Sequence, residues 1–534
     1  MTTVGSDPYG DWSLAGWRAH LPGATDIPGI AGHVQTLGER TIPELAAMTA
    51  SAHPDHIAVT VDGHGMTHAE LDAGSAAVAA WLASRTGPGE RVLLAASPGR
   101  GFLRCYLGAM RAGLIVVLAS PAATAAEFGH LVADSGSLLA FADERPAALL
   151  RSLPGLRSVA PADLADLKPE PPGRAFRDMP APDDVAVLAY TSGTTGRPKG
   201  VPLTHRQLVT SIRVAMAAWQ WSQEDVVVHA LPLHHQHGLG AVHATLIAGG
   251  TAHVRSRFGP GDLIGLAGRT RASILLGVPT MYQALYDAAS QDPTAATPPL
   301  GGLRLAVCGS AALSPALADR LPALLGRLPL IRYGTTETGL DVSNVLGLAA
   351  AGTVGVPLPG VLARIAATGA SPGTSDGAGL GAQGEIQLSG PQVFSGYWRD
   401  EAADEAAFTA DGWFCTGDIG RVDPAAGQLA IVGRTKELII SGGLNVYPRE
   451  IEVVLENHPS VSEAAVAGLP HEKWGEQVTA WVVTRPGEDV SEDELIGYAR
   501  TVLAAYKCPK RIYRLTELPR NHLGKLIRSE LNAP

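Results

Sequence analysis

The sequence predicts an α/β protein of more than one domain, and three observations carry that prediction. From about Ile42 onward, short apolar runs alternate with Ala/Leu-rich helical stretches, the pattern of parallel strands covered by helices. The texture shifts to shorter β-like segments after the Gly/Ser/Ala-rich stretch at residues 369–383, which reads as a hairpin tip. Finally, 534 residues exceed what one ordinary hydrophobic core organises.

Residues 1–40 are rich in Gly, Pro and Trp and read as irregular chain. The strand-like runs that follow are Val92–Ala96, Ile115–Leu118, Val185–Tyr190, Val226–Ala230, Ile274–Gly277 and Leu303–Cys308. Each is apolar and bounded by turn or helix signals, as buried strands are. Helical patterns lie among them, at Ala69–Ser84 and Gln207–Trp219 for example. No internal repeat is visible. Gly433-Arg-Thr-Lys-Glu437 then precedes a final region with its own helices at Pro448–Glu456 and Glu492–Ala505, and a domain boundary is expected there.

Bulk properties exclude several function classes. A formal net charge of −10 gives no general attraction to nucleic acid or to anionic lipid. Cys105, Cys308, Cys415 and Cys508 lie far apart without a CxxC pair, so they read as reduced thiols of a cytoplasmic protein rather than a disulfide frame or a zinc site. The aliphatic stretch Gly113–Ala119 is too short to span a bilayer. Asp7 and Asp11 stand where a secretory signal would carry basic residues, so no signal peptide is expected.

The strongest local signal follows the run Val185–Tyr190, which delivers the chain into Thr191-Ser-Gly-Thr-Thr-Gly-Arg-Pro-Lys199-Gly200. Glycines let a backbone bend close to an anion, and hydroxyls with backbone N–H groups cradle phosphate oxygens. Lys199 adds a point charge. Thr204 with Gln207 three residues on makes a capping box for the next helix. The loop is not a Walker A motif, because Pro198 precedes Lys199 and Gly200 follows it. The histidines His234, His235 and His237 have no Cys or paired acid beside them. Adjacent side chains on an extended segment point apart, which argues against zinc there.

At the phosphate loop the sequence resembles the adenylate-forming superfamily of acyl-CoA synthetases, luciferases and peptide-synthetase adenylation domains. The resemblance extends over nearly the whole chain through an ordered set of blocks: Leu231-Pro-Leu-His-His-Gln-His-Gly238, Gly277-Val-Pro-Thr-Met-Tyr282, Gly309-Ser-Ala-Ala-Leu313, Tyr333-Gly-Thr-Thr-Glu337, Trp413-Phe-Cys-Thr-Gly-Asp418, Gly433-Arg-Thr-Lys-Glu437 with Ser441-Gly-Gly443, and Pro519-Arg-Asn-His-Leu-Gly-Lys525. It implies a large domain over 1–432, with parallel sheets, flanking helices and a small β-rich subdomain. A hinge at 433–437 then leads to a small, mobile α+β domain over 438–534. It further implies ATP, Mg²⁺ and coenzyme A as reactants and cofactors: acid and ATP give an acyl-adenylate and pyrophosphate, and a thiol then displaces AMP.

Residue roles follow from the same resemblance. Lys525 is the implied adenylation lysine, bridging the acid and the α-phosphate. Thr336 is implied on the α-phosphate, and Glu337 as the Mg²⁺ ligand with Thr191. Ser192, Gly193, Thr194, Thr195, Gly196 and Lys199 are implied around the other phosphates. Ser310, Ala311, Ala312, Tyr333, Gly334 and Thr335 are implied around the nucleotide, and Asp418 and Arg434 at the ribose. Lys436 matches the hinge position, and Gly443 the glycine-rich segment of the thiol channel. Asn521 replaces the usual Thr.

Within the superfamily the sequence is most similar to malonyl-CoA synthetases, in Ala218-Trp-Gln-Trp221, Arg257-Phe258, Ile331-Arg-Tyr-Gly334 and Thr353-Val-Gly-Val-Pro-Leu-Pro-Gly360. Those enzymes hold a second carboxylate with arginines, and Arg257 and Arg332 match their positions. His234, His237 and Ser310 complete the expected acid site. Leu444-Asn-Val-Tyr-Pro448 instead resembles general acyl-CoA ligases, and Thr335 and Gly339-Leu-Asp341 depart from the malonyl pattern. The expected function is therefore an acid–CoA ligase for a small polar or dicarboxylic acid. Its alternative is a natural-product enzyme that loads a carrier protein, or an ATP-dependent diazotase that activates nitrite against an aryl amine. The expected partners are a small-molecule acid and a thiol acceptor, with neither nucleic acid nor membrane.

Overall fold

The structure, a computed structural model, describes residues 37–162, 179–191, 198–291, 298–347, 349–367, 382–424, 426–520 and 526–532. Two largely parallel sheets form the bulk of it. In the nine-stranded sheet, strands 57–61, 251–254, 226–229, 274–277, 305–308 and 330–333 run parallel, in that spatial order. Antiparallel strands close its two edges. In the six-stranded sheet, 158–161, 139–142, 91–95, 115–118 and 185–191 are parallel, and 199–204 returns antiparallel beside 185–191. Its strands at 92–95, 115–118 and 139–142 are buried on both faces, as helix-covered parallel strands are.

Helix starts are written locally. Thr41, Thr67, Thr124 and Thr204 each cap a helix, and the residue three on, Glu44, Glu70, Glu127 or Gln207, reaches back to the cap in a complete capping box. Ends drift by one to three residues from the sequence pattern. The helix expected over Glu492–Ala505 stops at Val502, because Leu503 turns to extended backbone (φ −105°, ψ 148°) and enters the core.

A four-stranded antiparallel sheet, 362–367, 384–389, 414–422 and 429–434, follows the parallel sheets. The last unit pairs 444–446, 439–441, 475–484, 461–471 and 511–514 into one sheet. It packs helices 448–456 and 492–502 on an apolar core of its own. The largest core draws on buried residues from Leu37 to Leu429, whereas that of the last unit begins at Ile439. The fold is thus α/β, with a large N-terminal part and a smaller C-terminal one. The expected hinge, 433–437, lies between the two cores and carries a 3₁₀ turn at Thr435–Glu437. The expected hairpin tip at 369–383 lies almost wholly outside the described residues. Among the described residues, no helix is long and apolar enough to cross a membrane, and all four cysteines are free thiols.

Candidate functional site

A cavity of about 1170 Å³ opens where the two parallel sheets, the antiparallel sheet and the hinge meet. Strand 330–333 of the larger sheet runs out into it through the turn Gly334–Gly339. Gly334 has a steric reason to be glycine: a Cβ there would fall 2.0 Å from the carbonyl oxygen of Gly339. The turn is cross-braced. Thr335 N–H and Oγ1 reach Thr338 Oγ1 at 3.3 and 3.0 Å, Thr338 donates to Asp341, and Gln392 Nε2 donates to Asp341 at 3.0 Å. Burial pushes the Asp341 carboxyl up to about 6 against those hydrogen bonds.

The rigid turn presents Thr336 and Glu337 to the cavity. Gln236 Nε2 donates to the Thr336 carbonyl at 2.8 Å. Tyr397 OH donates to Glu337 Oε1 at 3.0 Å. The Tyr397 ring also carries Lys199, whose Nζ stands 4.8 Å from the ring centroid. One tyrosine therefore joins the phosphate-loop lysine to the acidic residue of the turn. Lys199 and Lys436 both line the cavity, and neither pairs with a carboxylate among the described residues.

On the opposite wall, His237 Nδ1 lies 3.1 Å from Ser310 Oγ, and Ser310 takes the left-handed conformation at φ 68°. Non-glycine residues in that region are uncommon and mark turns held by their surroundings. Burial holds the His237 imidazole well below its usual range, with Arg332 and His229 adding to the shift, so it is neutral at physiological pH. Arg332 enters the site past Gly309, where a Cβ would stand 2.5 Å from its Nε. Its Nε and the Nε2 of His237 are buried without a hydrogen-bond partner among the described residues. Burial lowers Arg332 to about 10, so it stays cationic near neutrality.

Behind this wall, Asp418 is 3% exposed; it accepts from Tyr333 OH at 2.9 Å and pairs with Arg434 Nε at 2.8 Å. Its neighbours Thr416 and Gly417 line the cavity, as do Arg434 and Lys436 of the hinge.

The structure thus brings Thr191, Lys199, His234, His237, Ser310, Arg332, Gly334, Thr335, Thr336, Glu337, Arg434 and Lys436 onto one cavity. Tyr333 and Asp418 stand just behind it. Ala311 and Ala312 are exposed and Gly443 lies on the surface of the C-terminal unit; none of these three is on the cavity wall. Arg257 is likewise exposed and off the wall, while the adjacent Phe258 lines it. Ser192, Gly193, Thr194, Thr195, Gly196 and Lys525 fall outside the described residues. The adjacent histidines His234 and His235 do not point apart, as an extended segment would require. Their rings lie 4.4 Å apart, because the segment is turning into helix 236–248. Tyr397 was not visible to sequence reasoning, since its partner Glu337 is sixty positions away. Gln236 stands out in the sequence itself, as a polar residue where an apolar one is common.

The donor set suits a magnesium nucleotide. Two lysines without a carboxylate partner among the described residues face the cavity, and Glu337 offers a hard oxygen ligand held by Tyr397. Mg²⁺ in nucleotide sites takes one or two carboxylates and leaves the rest of its shell to phosphate and water.

Comparison with known proteins agrees with this chemistry. The profile of the AMP-binding enzyme family matches residues 47–398, and that of the AMP-binding enzyme C-terminal domain matches 450–525. A feruloyl-CoA synthase of Amycolatopsis sp is 36% identical over 495 residues, covering 90% of this chain and 96% of that protein. The mitochondrial malonate–CoA ligase ACSF3 of Homo sapiens is 35% identical over 446 residues, 76% of each chain. Among solved structures, ATP-bound MatB from Rhodopseudomonas palustris superposes with a TM-score of 0.82 at 33% identity, covering 92% of this chain and 98% of that one.

Proposed function

The chain belongs to the family of AMP-binding enzymes, and from that premise we propose that it joins a polar carboxylic acid, small dicarboxylates included, to coenzyme A through an acyl-adenylate. It is an ATP-dependent, AMP-forming ligase. In the first step a carboxylate oxygen bonds to the α-phosphorus of ATP, and the bond from that phosphorus to pyrophosphate breaks. In the second a thiol sulfur bonds to the acyl carbon, and AMP leaves.

Both steps need fixed positive charge where anions meet. The observation that supports the reading is the set of cations that line one cavity, Lys199, Lys436 and Arg332, together with the braced carboxylate of Glu337. Magnesium held by Glu337, with Thr191 on the same wall, would neutralise phosphate charge. Gln236 fixes the Thr336 carbonyl, so the Thr336 side chain keeps its place beside the reacting groups. The polar acid is inferred from Arg332. A guanidinium on the wall whose Nε has no partner among the described residues favours an anionic or strongly polar group, because an apolar acid would leave it buried and unsatisfied. His237 and Ser310 add neutral donors beside it. Arg257, being exposed, does not enter this reading.

The test is incubation with ATP, Mg²⁺ and a panel of acids, with and without coenzyme A, read by pyrophosphate release and mass spectrometry. Pyrophosphate and an acyl-CoA from polar acids are expected. Turnover of nitrite with an aryl amine, and of no carboxylic acid, would replace this reading with a diazotase.

A further inference from the structure

The cavity does not end at the His237–Arg332 wall. It continues along helix 236–248, where Gln236, Gly240 and His243 lie on one face, four and three residues apart. A Cβ added at Gly240 would meet nothing within 4 Å. Gly238, two residues earlier, is packed tightly, with Pro232 O at 2.6 Å from the same imagined atom. Glycine weakens a helix interior relative to alanine, and no packing demand explains it at Gly240. Its effect is to leave a groove open along the helix.

The groove leads to Tyr106 and His243, whose rings stack at 5.5 Å with 22° between planes. Both line the cavity, at 1% and 2% exposure. Tyr106 OH and His243 Nε2 are buried without a hydrogen-bond partner among the described residues. Native structures rarely leave such atoms unpaired. The pair is also uncharged. Burial, with His205 adding to it, holds His243 down to about 3, and burial pushes Tyr106 well above the phenol range. An uncharged donor and acceptor side by side suit a group that both gives and takes a hydrogen bond. Among the described residues no arginine or lysine acts on either group, so a second carboxylate would find no cation here.

We propose that the groove Gln236–Gly240–His243 holds the body of the acid, and that Tyr106 and His243 form a distal subsite for a hydroxyl at its far end. The substrate class is then a hydroxy acid whose apolar spacer separates hydroxyl from carboxylate by about 10 Å, the helix rise from Gln236 to His243. This rests on the acid-adenylation reading and extends it.

The experiment measures pyrophosphate release with ω-hydroxyoctanoate against octanoate, para-hydroxyphenylpropanoate against phenylpropanoate, and malonate and butanoate as short acids. A preference of about tenfold or more in kcat/KM for the hydroxylated member of at least one pair is expected. Tyr106→Phe keeps the ring and should bring that ratio close to one. Gly240→Leu, which favours the helix, should lower the ratio of long to short acid turnover by about tenfold. The shift in melting temperature with ATP verifies that both variants are folded. A parent ratio near one overturns the subsite, as does a ratio that survives Tyr106→Phe. Release from short acids but from neither long pair overturns it alone, whereas release from no acid overturns the adenylation reading with it.

Discussion

Tyr397 ties two sequence blocks that lie far apart in the chain, through its hydroxyl on Glu337 and its ring beneath Lys199. Removing only the hydroxyl separates these roles. Tyr397→Phe keeps the cation–π contact and frees the Glu337 carboxylate to wander. The magnesium concentration that half-saturates the ATP-induced rise in melting temperature should then increase severalfold, because a less fixed ligand binds the ion more weakly. An unchanged magnesium titration would show that Tyr397 is only a packing residue. Arg332 permits an equally sharp test. Arg332→Met removes the charge and keeps much of the volume. It should cut kcat/KM for polar acids on the order of tenfold or more while the KM for ATP barely moves. A uniform loss over all acids with a raised KM for ATP would make Arg332 a prop of the Tyr333–Glu337 turn. The turn itself was legible in the sequence, because Gly334 and Thr335 are held by Gly339 and Thr338, their neighbours in the chain. Tyr106, His243 and Tyr397 were not, since what they do depends on residues brought together only by the folded sheets.

Among the elements, the strands and helices of the large part could be read from hydrophobic period and capping boxes, because both signals are local. The fastening of the C-terminal unit to the hinge could not. Arg528 Nε pairs with Glu437 of the hinge turn at 3.0 Å, and its Nη1 with Glu452 at 2.5 Å and the Val466 carbonyl at 3.1 Å. Glu452 is 3% exposed and also accepts from Val466 N–H. Arg528→Ala would strand a buried carboxylate, at a cost of about 3 kcal/mol to the C-terminal unit. That should appear as a lower first midpoint in urea unfolding; an unmoved midpoint would mean that Arg449, 3.5 Å from Glu452, suffices. The same C-terminal segment carries Lys525, three positions before this anchor. Lys525→Ala should reduce adenylate formation on the order of 10²-fold or more while thiol transfer from a supplied acyl-adenylate largely persists. Equal loss in both half-reactions would remove Lys525 from its proposed role.

Over the whole molecule, the large part encloses several neutral histidines. Burial holds His205 and His243 down to about 3 and His229 to about 4, and His237 is lowered as well. In the unfolded chain each titrates near 6.5. Between the two values the unfolded state binds more protons than the folded one, so stability falls as pH drops below about 6.5. Asp341 works the other way. Its folded value near 6 lies above that of an unfolded aspartate, so the folded state takes up a proton as pH falls through 6. Glu385, raised by burial, acts as Asp341 does, but the lowered histidines, His68, His253 and His237 among them, outnumber these two carboxyls, so a net loss of stability is expected between pH 6 and 5. The urea midpoint of the large part should therefore be level from pH 7 to 8 and fall steeply from 6 to 5. His205 lies off the cavity wall and makes a clean probe. His205→Phe should make the slope shallower by one proton, about 1.4 kcal/mol per pH unit. An equal slope in parent and variant would mean that His205 is already protonated in the folded protein or never protonates in the unfolded one. Acid sensitivity would then have to arise from the remaining histidines or, nearer pH 2 to 4, from the lowered carboxylates that pair with arginine, such as Asp411 with Arg364.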